Sequence, residues 1–359
     1  MMKKILFILA VLFVLFGMLA PEAMKEAEDD GLYIVTTTAQ VGDLVHNIVG
    51  EHAKVEYLMG AGTDPHLYRP TRGDIAKLMQ ADIVFFNGMH LEGKMEHLLE
   101  QVAESKPAIS IGNSLSSKSL NLIDEEEGYD PHIWMDVENW IVGANIVADI
   151  LIEQDSERTE SYNSNRDAYT EKLKELDKYA HGLISTIPKQ QRILVTAHDA
   201  FGYLGSAYGL EVLGIQGIST ESEAGLSKIE ELVDLLVNRE IKAVFFESSV
   251  GGHNIIAIIE GAKARGHVVN IGGSLFSDAM GTENTNEATY IGMMVYNLNT
   301  ITAALGGAPD SVESYLRPRP QKPNDQSEDQ SEKEESNDSN DSIEEESDNP
   351  VAQEDNKQE

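Results

Sequence analysis

The sequence predicts an α/β protein of two lobes, each a parallel sheet covered by helices, joined by one long rigid helix. Short β-type runs alternate with helical patterns from residue 31 to about 306. The runs fall into two groups of four, and the longest helical pattern lies between the groups. Such alternation is typical of parallel sheets, because each parallel connection crosses back over the sheet. A chain of 359 residues is long enough for two lobes.

The predicted strands are short runs rich in β-branched and aromatic residues. In the first group they span residues 33–37, 55–59, 83–87 and 108–111, and in the second 193–196, 211–215, 243–247 and 268–271. Helical patterns separate them, for example at residues 73–79, 226–238 and 255–265.

The longest helical pattern covers residues 157–187, and Pro188 provides a natural stop. Apolar residues recur there at helical spacing, at Leu173, Leu176, Tyr179 and Leu183. A helix of roughly thirty residues would extend ~45 Å, which is longer than one lobe requires. We interpret it as a stiff connection between the lobes. The alternative is a helix packed on a single domain.

Composition excludes several classes of function. With 27 basic and 61 acidic residues the net charge is 27 − 61 = −34, which excludes a nucleic-acid binder that relies on a basic surface. The absence of cysteine excludes disulfides, thiolate metal sites and cysteine nucleophiles. Any metal site therefore has to be built from His, Asp and Glu.

The two ends differ from the body of the chain. Residues 1–30, with lysines before the apolar run 5–19, are predicted to be a signal peptide or an N-terminal anchor. Residues 307–359 are predicted to be a disordered acidic tail, because the part from 324 onward holds 15 acidic residues, two lysines and no aromatic. That tail is either a solubilising segment or a weak collector of hard cations. Residues 31–156, 157–187 and 188–306 are then the first lobe, the linking helix and the second lobe.

Three of the four candidate metal ligands follow predicted strands, where open parallel sheets bind their ligands, and the fourth, His132, lies in a second Asp-Pro-His loop. His66 and His132 each end an Asp-Pro-His tripeptide, in which proline stiffens the loop. His198 follows the strand 193–196, and Asp278 comes shortly after 268–271. Nitrogen and oxygen donors of this kind suit zinc and manganese. A lone loop histidine is more often structural, however, and Asp278 could simply cap a helix.

The remaining histidines are weaker candidates. His90 follows the strand 83–87 and is the reserve candidate. The others read as helix-face or loop residues and are His46, His52, His97, His181, His253 and His267.

Six ordered motifs resemble those of a known family, the TroA-like, manganese- or zinc-type solute-binding proteins of ABC transporters. The resemblance covers roughly residues 31–306. The motifs are Asp-Pro-His-Leu-Tyr-Arg-Pro-Thr-Arg-Gly-Asp (64–74), Asn-Gly-Met-His-Leu-Glu (87–92), Asp-Pro-His-Ile-Trp-Met-Asp (130–136), Thr-Ala-His-Asp-Ala-Phe-Gly-Tyr (196–203), Gly-Ile-Gln-Gly-Ile-Ser-Thr-Glu-Ser-Glu (214–223) and Ile-Gly-Gly-Ser-Leu-Phe-Ser-Asp-Ala-Met-Gly (271–281).

The resemblance implies a metal site in the cleft between the lobes, with the family's ligands falling on His66, His132, His198 and Asp278. It implies an exported, monomeric binding protein that captures a divalent transition metal and delivers it to a membrane permease. Manganese and zinc are the expected ions, and iron(II) is less expected. The short acidic stretch 124–129 stands where zinc-specialised relatives often carry a His-rich loop.

The expected location is periplasmic or at the cell surface. Without a cysteine, the chain is expected not to be a cysteine-linked lipoprotein, and a membrane tether through residues 5–19 is the alternative. Two alternative functions are compatible with the same residues. One is a metal-dependent hydrolase with Glu247 or Glu221 as general base, although no hydrolase motif occurs. The other is a surface adhesin, which rests on analogy alone.

Overall fold

The computed structural model describes residues 31–124, 128–310 and Tyr315. The predicted signal segment or anchor at 1–30, the tether at 5–19 and most of the acidic tail lie outside the described residues. All described residues belong to one compact unit. Within the described ranges, no helix is both long and apolar enough to cross a membrane.

The described chain contains ten strands and nine α-helices, together with short 3₁₀ helices. The strands are β1 (Leu32–Thr38), β2 (Ala53–Met59), β3 (Ile83–Phe86), β4 (Ala108–Ser110), β5 (Leu122–Asp124), β6 (Gly128–Tyr129), β7 (Ile193–Thr196), β8 (Glu211–Gly214), β9 (Ala243–Glu247) and β10 (Asn270–Leu275). The helices are α1 (Ala39–Val49), α2 (Arg72–Gln80), α3 (Glu96–Ala103), α4 (Val137–Gln154), α5 (Thr159–Ser185), α6 (Gly202–Tyr208), α7 (Leu226–Asn238), α8 (His253–Ala264) and α9 (Tyr290–Ala304).

The first sheet has the strand order β2-β1-β3-β4, and every pairing in it is parallel. In the second half, β8 pairs with β7 and β10 pairs with β9, both parallel, and β7 packs next to β9. The order β8-β7-β9-β10 therefore repeats that of the first sheet. We call β1–β4 with their helices the first lobe, and β7–β10 with theirs the second lobe.

Local sequence accounts for where the helices begin. Thr38, at the end of β1, accepts a hydrogen bond from the backbone N–H of Val41 and caps α1. Thr71 and Asp74 form a reciprocal capping box at the start of α2. Both caps lie in the first lobe, and the second cap begins the helix that follows the His66 loop.

All eight predicted strands are present, and the largest difference is at β10, which runs from Asn270 to Leu275 rather than over 268–271. The full length of this strand is not evident from the sequence, because it contains two glycines and glycine has low strand propensity. A Cβ on Gly272 would lie 2.5 Å from the ring of Phe245, so close packing requires glycine inside this strand. The antiparallel pair of β5 and β6 was not predicted, because its strands are only three and two residues long.

The long helix α5 spans 27 residues, or roughly 40 Å at the usual rise. It packs against α1 and α4 of the first lobe and against α6 and α9 of the second. Its apolar stripe is buried at Leu173, Leu176 and Leu183. The helix therefore connects both lobes, and the alternative of a helix packed on one domain is wrong.

Aromatic side chains fix the two lobes to each other near the cleft. Trp140 of α4 stacks on Tyr290 of α9, with ring centroids 5.1 Å apart. The Tyr290 hydroxyl donates to the carbonyl of Trp134, and the Trp134 indole N–H donates to the carbonyl of Ser277. These contacts join the loop after β6 to the loop after β10.

Ordered structure continues a little past α9. The backbone N–H of Gly307 donates to the Thr302 carbonyl, and that of Ala308 donates to the Thr186 hydroxyl. The Tyr315 ring packs against Tyr179 of α5, with centroids 4.5 Å apart. The described structure thus extends beyond residue 306, and the predicted lobe and tail boundaries stay predictions.

Candidate metal centre

The four predicted ligands converge on one point between the lobes. His66 lies in the loop between β2 and α2, His132 follows β6, His198 follows β7, and Asp278 follows β10. One donor atom from each lies within 4.8 Å of the other three. All four side chains are buried, with exposures of 3%, 0%, 0% and 2%.

The Asp278 carboxylate stands at the centre of the group. Its Oδ1 lies 3.3 Å from His132 Nε2, and its Oδ2 lies 3.2 Å from His198 Nε2. The Nε2 atom of His66 lies 3.9 Å from Asp278 Oδ2 and 3.4 Å from His132 Nε2. Donors that are ~2.1 Å from a tetrahedral ion are about 3.4 Å apart by geometry, so these separations match a shared zinc-sized cation.

Several of the converging atoms lack the hydrogen bonds that buried polar groups require. Among the described residues, His198 Nε2 and both carboxylate oxygens of Asp278 are buried without a hydrogen-bond partner. Each such atom typically costs about 1–3 kcal/mol. A cation bound at the centre would satisfy all three atoms, and the donor set therefore fits a metal ion.

Carboxylates hold two of the imidazoles through Nδ1, the ring nitrogen that does not point into the site. Asp130 Oδ1 lies 2.7 Å from His132 Nδ1, and Glu247 Oε2 lies 2.5 Å from His198 Nδ1. A carboxylate at Nδ1 keeps the proton there and leaves the Nε2 lone pair for a metal. The sequence singled out Glu247 as a possible general base, but its other oxygen accepts from the His198 backbone N–H, so both oxygens hold His198.

The repeated Asp-Pro-His tripeptide has a structural reason beyond the stiffness of proline. In each copy the aspartate accepts a hydrogen bond from the backbone N–H of the histidine two residues later, at 2.9 Å for His66 and 3.0 Å for His132. Asp130 also holds the imidazole of its histidine, whereas the second oxygen of Asp64 accepts from the hydroxyl of Thr220 at 2.6 Å.

The three histidines differ in protonation. Burial, together with the neighbouring histidines, lowers the pKa of His66 to about 4. For His132 burial acts in the same direction, but the carboxylates of Asp130 and Asp278 outweigh it and raise the pKa to about 9. Asp278 and Glu247 likewise outweigh burial and raise the pKa of His198.

The central carboxylate shows the complementary effect. Burial alone would raise the pKa of Asp278, but His198 and His132 outweigh it and hold this pKa well below its usual range. These shifts favour an ionised Asp278 and protonated His132 and His198 imidazoles in the metal-free site. A cation therefore competes with protons for those two imidazoles.

His90, the reserve candidate, stands apart from the group. It lies with Met89 in a left-handed stretch of backbone, at φ 63° and 56°, and its Nδ1 is 3.1 Å from Glu96 Oε2 on an exposed surface. His90 and His66 both line a cleft of about 780 Å³ that opens beside the site. Across the described residues, the four-residue group is the one cluster of three or more metal-type ligands, so none of the other histidines joins it.

Two residues that hold the backbone of the His132 loop, Asn87 directly and Glu92 through Asn87, were not predicted from the sequence. The amide of Asn87 donates to the carbonyl of Pro131 at 2.9 Å. Glu92, only 3% exposed, accepts from the backbone N–H groups of Asn87 and Gly88 and from the Thr37 hydroxyl. The Asn-Gly-Met-His-Leu-Glu motif at 87–92 was the signal that could have identified them.

Comparison with known proteins gives consistent matches. Residues 34–304 match the family model described as zinc-uptake complex component A, periplasmic. The manganese-binding lipoprotein MntA of Bacillus subtilis (strain 168) is 44% identical over 298 residues, which cover 82% of this chain and 97% of that protein. The zinc-binding protein TroA of Treponema pallidum (strain Nichols) is 42% identical over 283 residues, covering 78% and 91%.

Solved structures agree with the sequence matches. The periplasmic zinc-binding protein TroA from Treponema pallidum superimposes with a TM-score of 0.75 at 41% identity, covering 77% of this chain and 99% of that one. The Fe(III)-bound YtgA from Chlamydia trachomatis superimposes with a TM-score of 0.71 at 26% identity, covering 78% and 100%.

One expectation from the sequence is wrong. The chain was expected not to be a cysteine-linked lipoprotein, because its 359 residues contain no cysteine. The MntA relative is named a lipoprotein, which is a membrane-anchored, extracytoplasmic class of protein. The absence of cysteine was not enough to separate this chain from the lipoproteins that it matches over most of their length.

Proposed function

Because the chain belongs to the zinc-uptake component A family of periplasmic proteins, we propose that it captures a divalent transition metal outside the cytoplasm for an ABC transporter. It is the solute-binding component of that transporter, and its partner is the membrane permease. It is a carrier and not an enzyme, since its relatives are named as binding proteins.

The observation that carries this function is the buried group of four donors between the lobes. Three imidazoles and one carboxylate meet within 4.8 Å, and three of the meeting atoms lack a hydrogen-bond partner among the described residues. Burying such atoms is unfavourable unless a ligand satisfies them. We therefore assign His66, His132, His198 and Asp278 as the metal ligands.

Manganese and zinc are the proposed ions. The two relatives of highest identity described above are named for manganese and for zinc respectively. Three imidazoles favour zinc on the Irving–Williams order. Both oxygens of Asp278 face imidazole nitrogens, so this carboxylate can also offer two hard donors, which suits manganese. Iron is the third ion of the set, in line with the name of the Fe(III)-bound structural relative.

The hydrolase alternative is not supported, because both proposed general bases contact other groups among the described residues. Glu247 braces His198 through both of its oxygens. Glu221 is exposed and forms an ion pair with Lys94. Neither is positioned to activate water at a metal, and no feature of the described residues favours the adhesin alternative.

The site is complete within one chain, and we therefore propose that the protein acts as a monomer. All four ligands and the two bracing carboxylates come from the same 31–310 range. The tether through residues 5–19 lies outside the described residues and stays a prediction.

Metal titration of the purified protein tests the proposed function. The protein is first stripped with a chelator, and manganese and zinc are then added separately at fixed pH while the melting temperature is followed. Binding to the folded state adds RT ln(1 + [L]/Kd) to the free energy of unfolding, and the melting temperature rises accordingly. We expect stabilisation by at least one of the two ions at micromolar concentration, and magnesium serves as the control ion. No stabilisation by either transition metal would contradict the function.

A further inference from the structure

One loop of the second lobe reaches across to the first lobe beside the metal site. We call residues 217–225, which follow β8, the cross-lobe loop. Its residue Thr220 is only 7% exposed, and the Thr220 hydroxyl donates to Asp64 Oδ2 at 2.6 Å. Asp64 belongs to the first lobe, in the tripeptide that ends with His66. The hydrogen bond therefore joins the two lobes two residues away from a metal ligand.

The other oxygen of Asp64 holds that ligand directly. Asp64 Oδ1 accepts from the backbone N–H of His66 at 2.9 Å. A continuous path of two hydrogen bonds thus runs from Thr220 through Asp64 to the His66 backbone. His132 and His198 are arranged differently, because their bracing carboxylates, Asp130 and Glu247, come from the same lobe as the histidine.

The cross-lobe loop is held firmly on its own lobe. The side-chain amide of Gln216 donates to the carbonyl of Ser222 and to Glu223. Glu223 also meets the side chains of His253 and Asn254 at the start of α8, at 3.1 and 3.2 Å. Because both ends of the loop are fixed in this way, Thr220 is presented to Asp64 in a defined position.

A second contact between the lobes lies nearby, at the surface. Lys94 of the first lobe forms an ion pair with Glu221, and the two side chains are 36% and 44% exposed. Exposed ion pairs contribute little to stability and are screened by salt. The buried bond from Thr220 to a carboxylate is of the stronger, charge-assisted kind. Thr220, rather than Lys94, is therefore the contact that can control how the lobes hold together here.

We propose that Thr220 is a positioning residue that slows metal release by fixing the His66 loop, through Asp64, against the second lobe. The inference rests on the proposed function, because it concerns the same site. All four ligands are at most 3% exposed, so we expect a bound ion to leave when the lobes separate or when the His66 loop, which lines the cleft, moves. Either movement breaks the bond between Thr220 and Asp64. Entry of the metal into an already open site does not require that bond to break.

The experiment measures the association and dissociation rates of zinc separately, by stopped-flow with a chelating dye, in the full chain. Thr220→Val keeps the shape of the side chain and removes the hydroxyl. We expect it to raise the dissociation rate by about tenfold to a hundredfold, the range for losing a hydrogen bond to a charged group. The association rate should stay within about twofold of wild type, because metal entry into an open site does not require this bond to break. The melting temperature of the metal-free protein should fall modestly, because the same buried hydrogen bond is lost from the metal-free state. Thr220→Ser restores the hydroxyl and should restore slow release.

Two further variants keep the test decisive. Thr302→Val is the matched control, since Thr302 is fully buried and its hydroxyl has no hydrogen-bond partner among the described residues. It should release zinc at the wild-type rate. Asp64→Asn removes the charge that receives the Thr220 hydroxyl, and in that background Thr220→Val should have less effect than in wild type, as coupled residues do.

Two results would overturn the inference in distinguishable ways. A wild-type protein that binds zinc, with Thr220→Val releasing it at the wild-type rate, would overturn the role of Thr220 alone. A wild-type protein that binds neither zinc nor manganese would overturn the proposed function, and the role of Thr220 with it. Equal acceleration by Thr302→Val would also count against the inference, because it would show a general effect of losing a buried hydroxyl.

Discussion

Two of the metal-site histidines, His198 of the second lobe and His66 of the first, are held in different ways. His198 follows β7 directly. Glu247, at the end of the neighbouring strand β9, accepts hydrogen bonds from the backbone N–H and from the imidazole Nδ1 of His198. His66 lies in a longer loop, and its backbone N–H bonds to Asp64, whose second oxygen depends on the other lobe. The support of His198 is thus built into one sheet, and the support of His66 is completed only when the lobes meet. The difference indicates which contacts set affinity and which set the rate of release.

The largest expected effect comes from removing His198, the ligand that is held within one sheet. His198→Ala removes one donor and leaves the buried carboxylate of Glu247 without its imidazole partner. We expect metal affinity to fall by more than the ~10–100-fold typical of losing a bracing residue. Metal-induced thermal stabilisation is the measurement. His66→Ala should also weaken binding strongly, but should leave more residual stabilisation than His198→Ala.

A greater loss of metal-induced stabilisation in His66→Ala than in His198→Ala would contradict the comparison between these two ligands. A variant that keeps full metal-induced stabilisation would show that the altered histidine is not a ligand. His97→Ala is a suitable control, because His97 is exposed and lies outside the cluster of described ligands.

A smaller effect is expected from the bracing carboxylate itself. In Glu247→Gln the amide can donate to Nδ1 of His198 and favour the tautomer that carries its proton on Nε2, where the metal has to bind. We expect affinity to fall by about 10–100-fold. Isothermal titration with zinc measures it, and Glu211→Gln is the control, because Glu211 forms an exposed ion pair with Arg239. Equal affinities for wild type and Glu247→Gln would show that the brace has no part in binding.

The pH dependence should distinguish His132 from His66, two ligands of the same lobe. The pKa of metal-free His132 is raised to about 9, so near neutral pH a metal has to displace its proton. The pKa of His66 is lowered to about 4, so His66 requires no such exchange. Metal affinity should therefore rise with pH from about 5 towards 9, with proton release on binding. Titration in buffers of different ionisation enthalpy measures that release, and an affinity unchanged between pH 8 and pH 5 would contradict it.

The stability of the metal-free protein should change in the opposite direction. A raised histidine pKa contributes stability that is fully present below the unfolded value of about 6.5 and is lost as the pH rises through the folded value of about 9. The melting temperature of the stripped protein should thus fall over this window while metal affinity rises. Asp130→Asn should weaken both trends, because Asp130 is a main cause of the raised pKa.

The smallest expected effect concerns the acidic tail. A chain that ends at Arg317 keeps every described ligand and brace, so it should retain wild-type melting temperature and metal affinity. Losing the tail removes 15 acidic residues after position 323, and the only expected change is weaker accumulation of hard cations at low salt. A large loss of zinc affinity in the shortened chain would show that the tail belongs to the site.

Much of this architecture could be predicted from sequence, because strands and stiff loops leave local signals. Runs of branched residues identified the strands, and the Asp-Pro-His repeats with the family motifs identified all four members of the cluster. The contact between Glu247 and His198 could not be predicted, since these residues lie 49 positions apart and only the packing of β7 beside β9 brings them together. Thr220 and Asp64, 156 residues apart, illustrate the same limit across two lobes.

X-ray absorption spectroscopy of the zinc-loaded protein and of loaded His66→Ala tests the four-ligand site most directly. For the wild type we expect three imidazoles and one carboxylate around the ion, with bond lengths of about 2.0–2.2 Å. In His66→Ala the imidazole count should fall to two while the carboxylate remains, because His132, His198 and Asp278 are held independently of His66. An imidazole count that is the same in both proteins would contradict the assignment of His66 and the two-part site built on it.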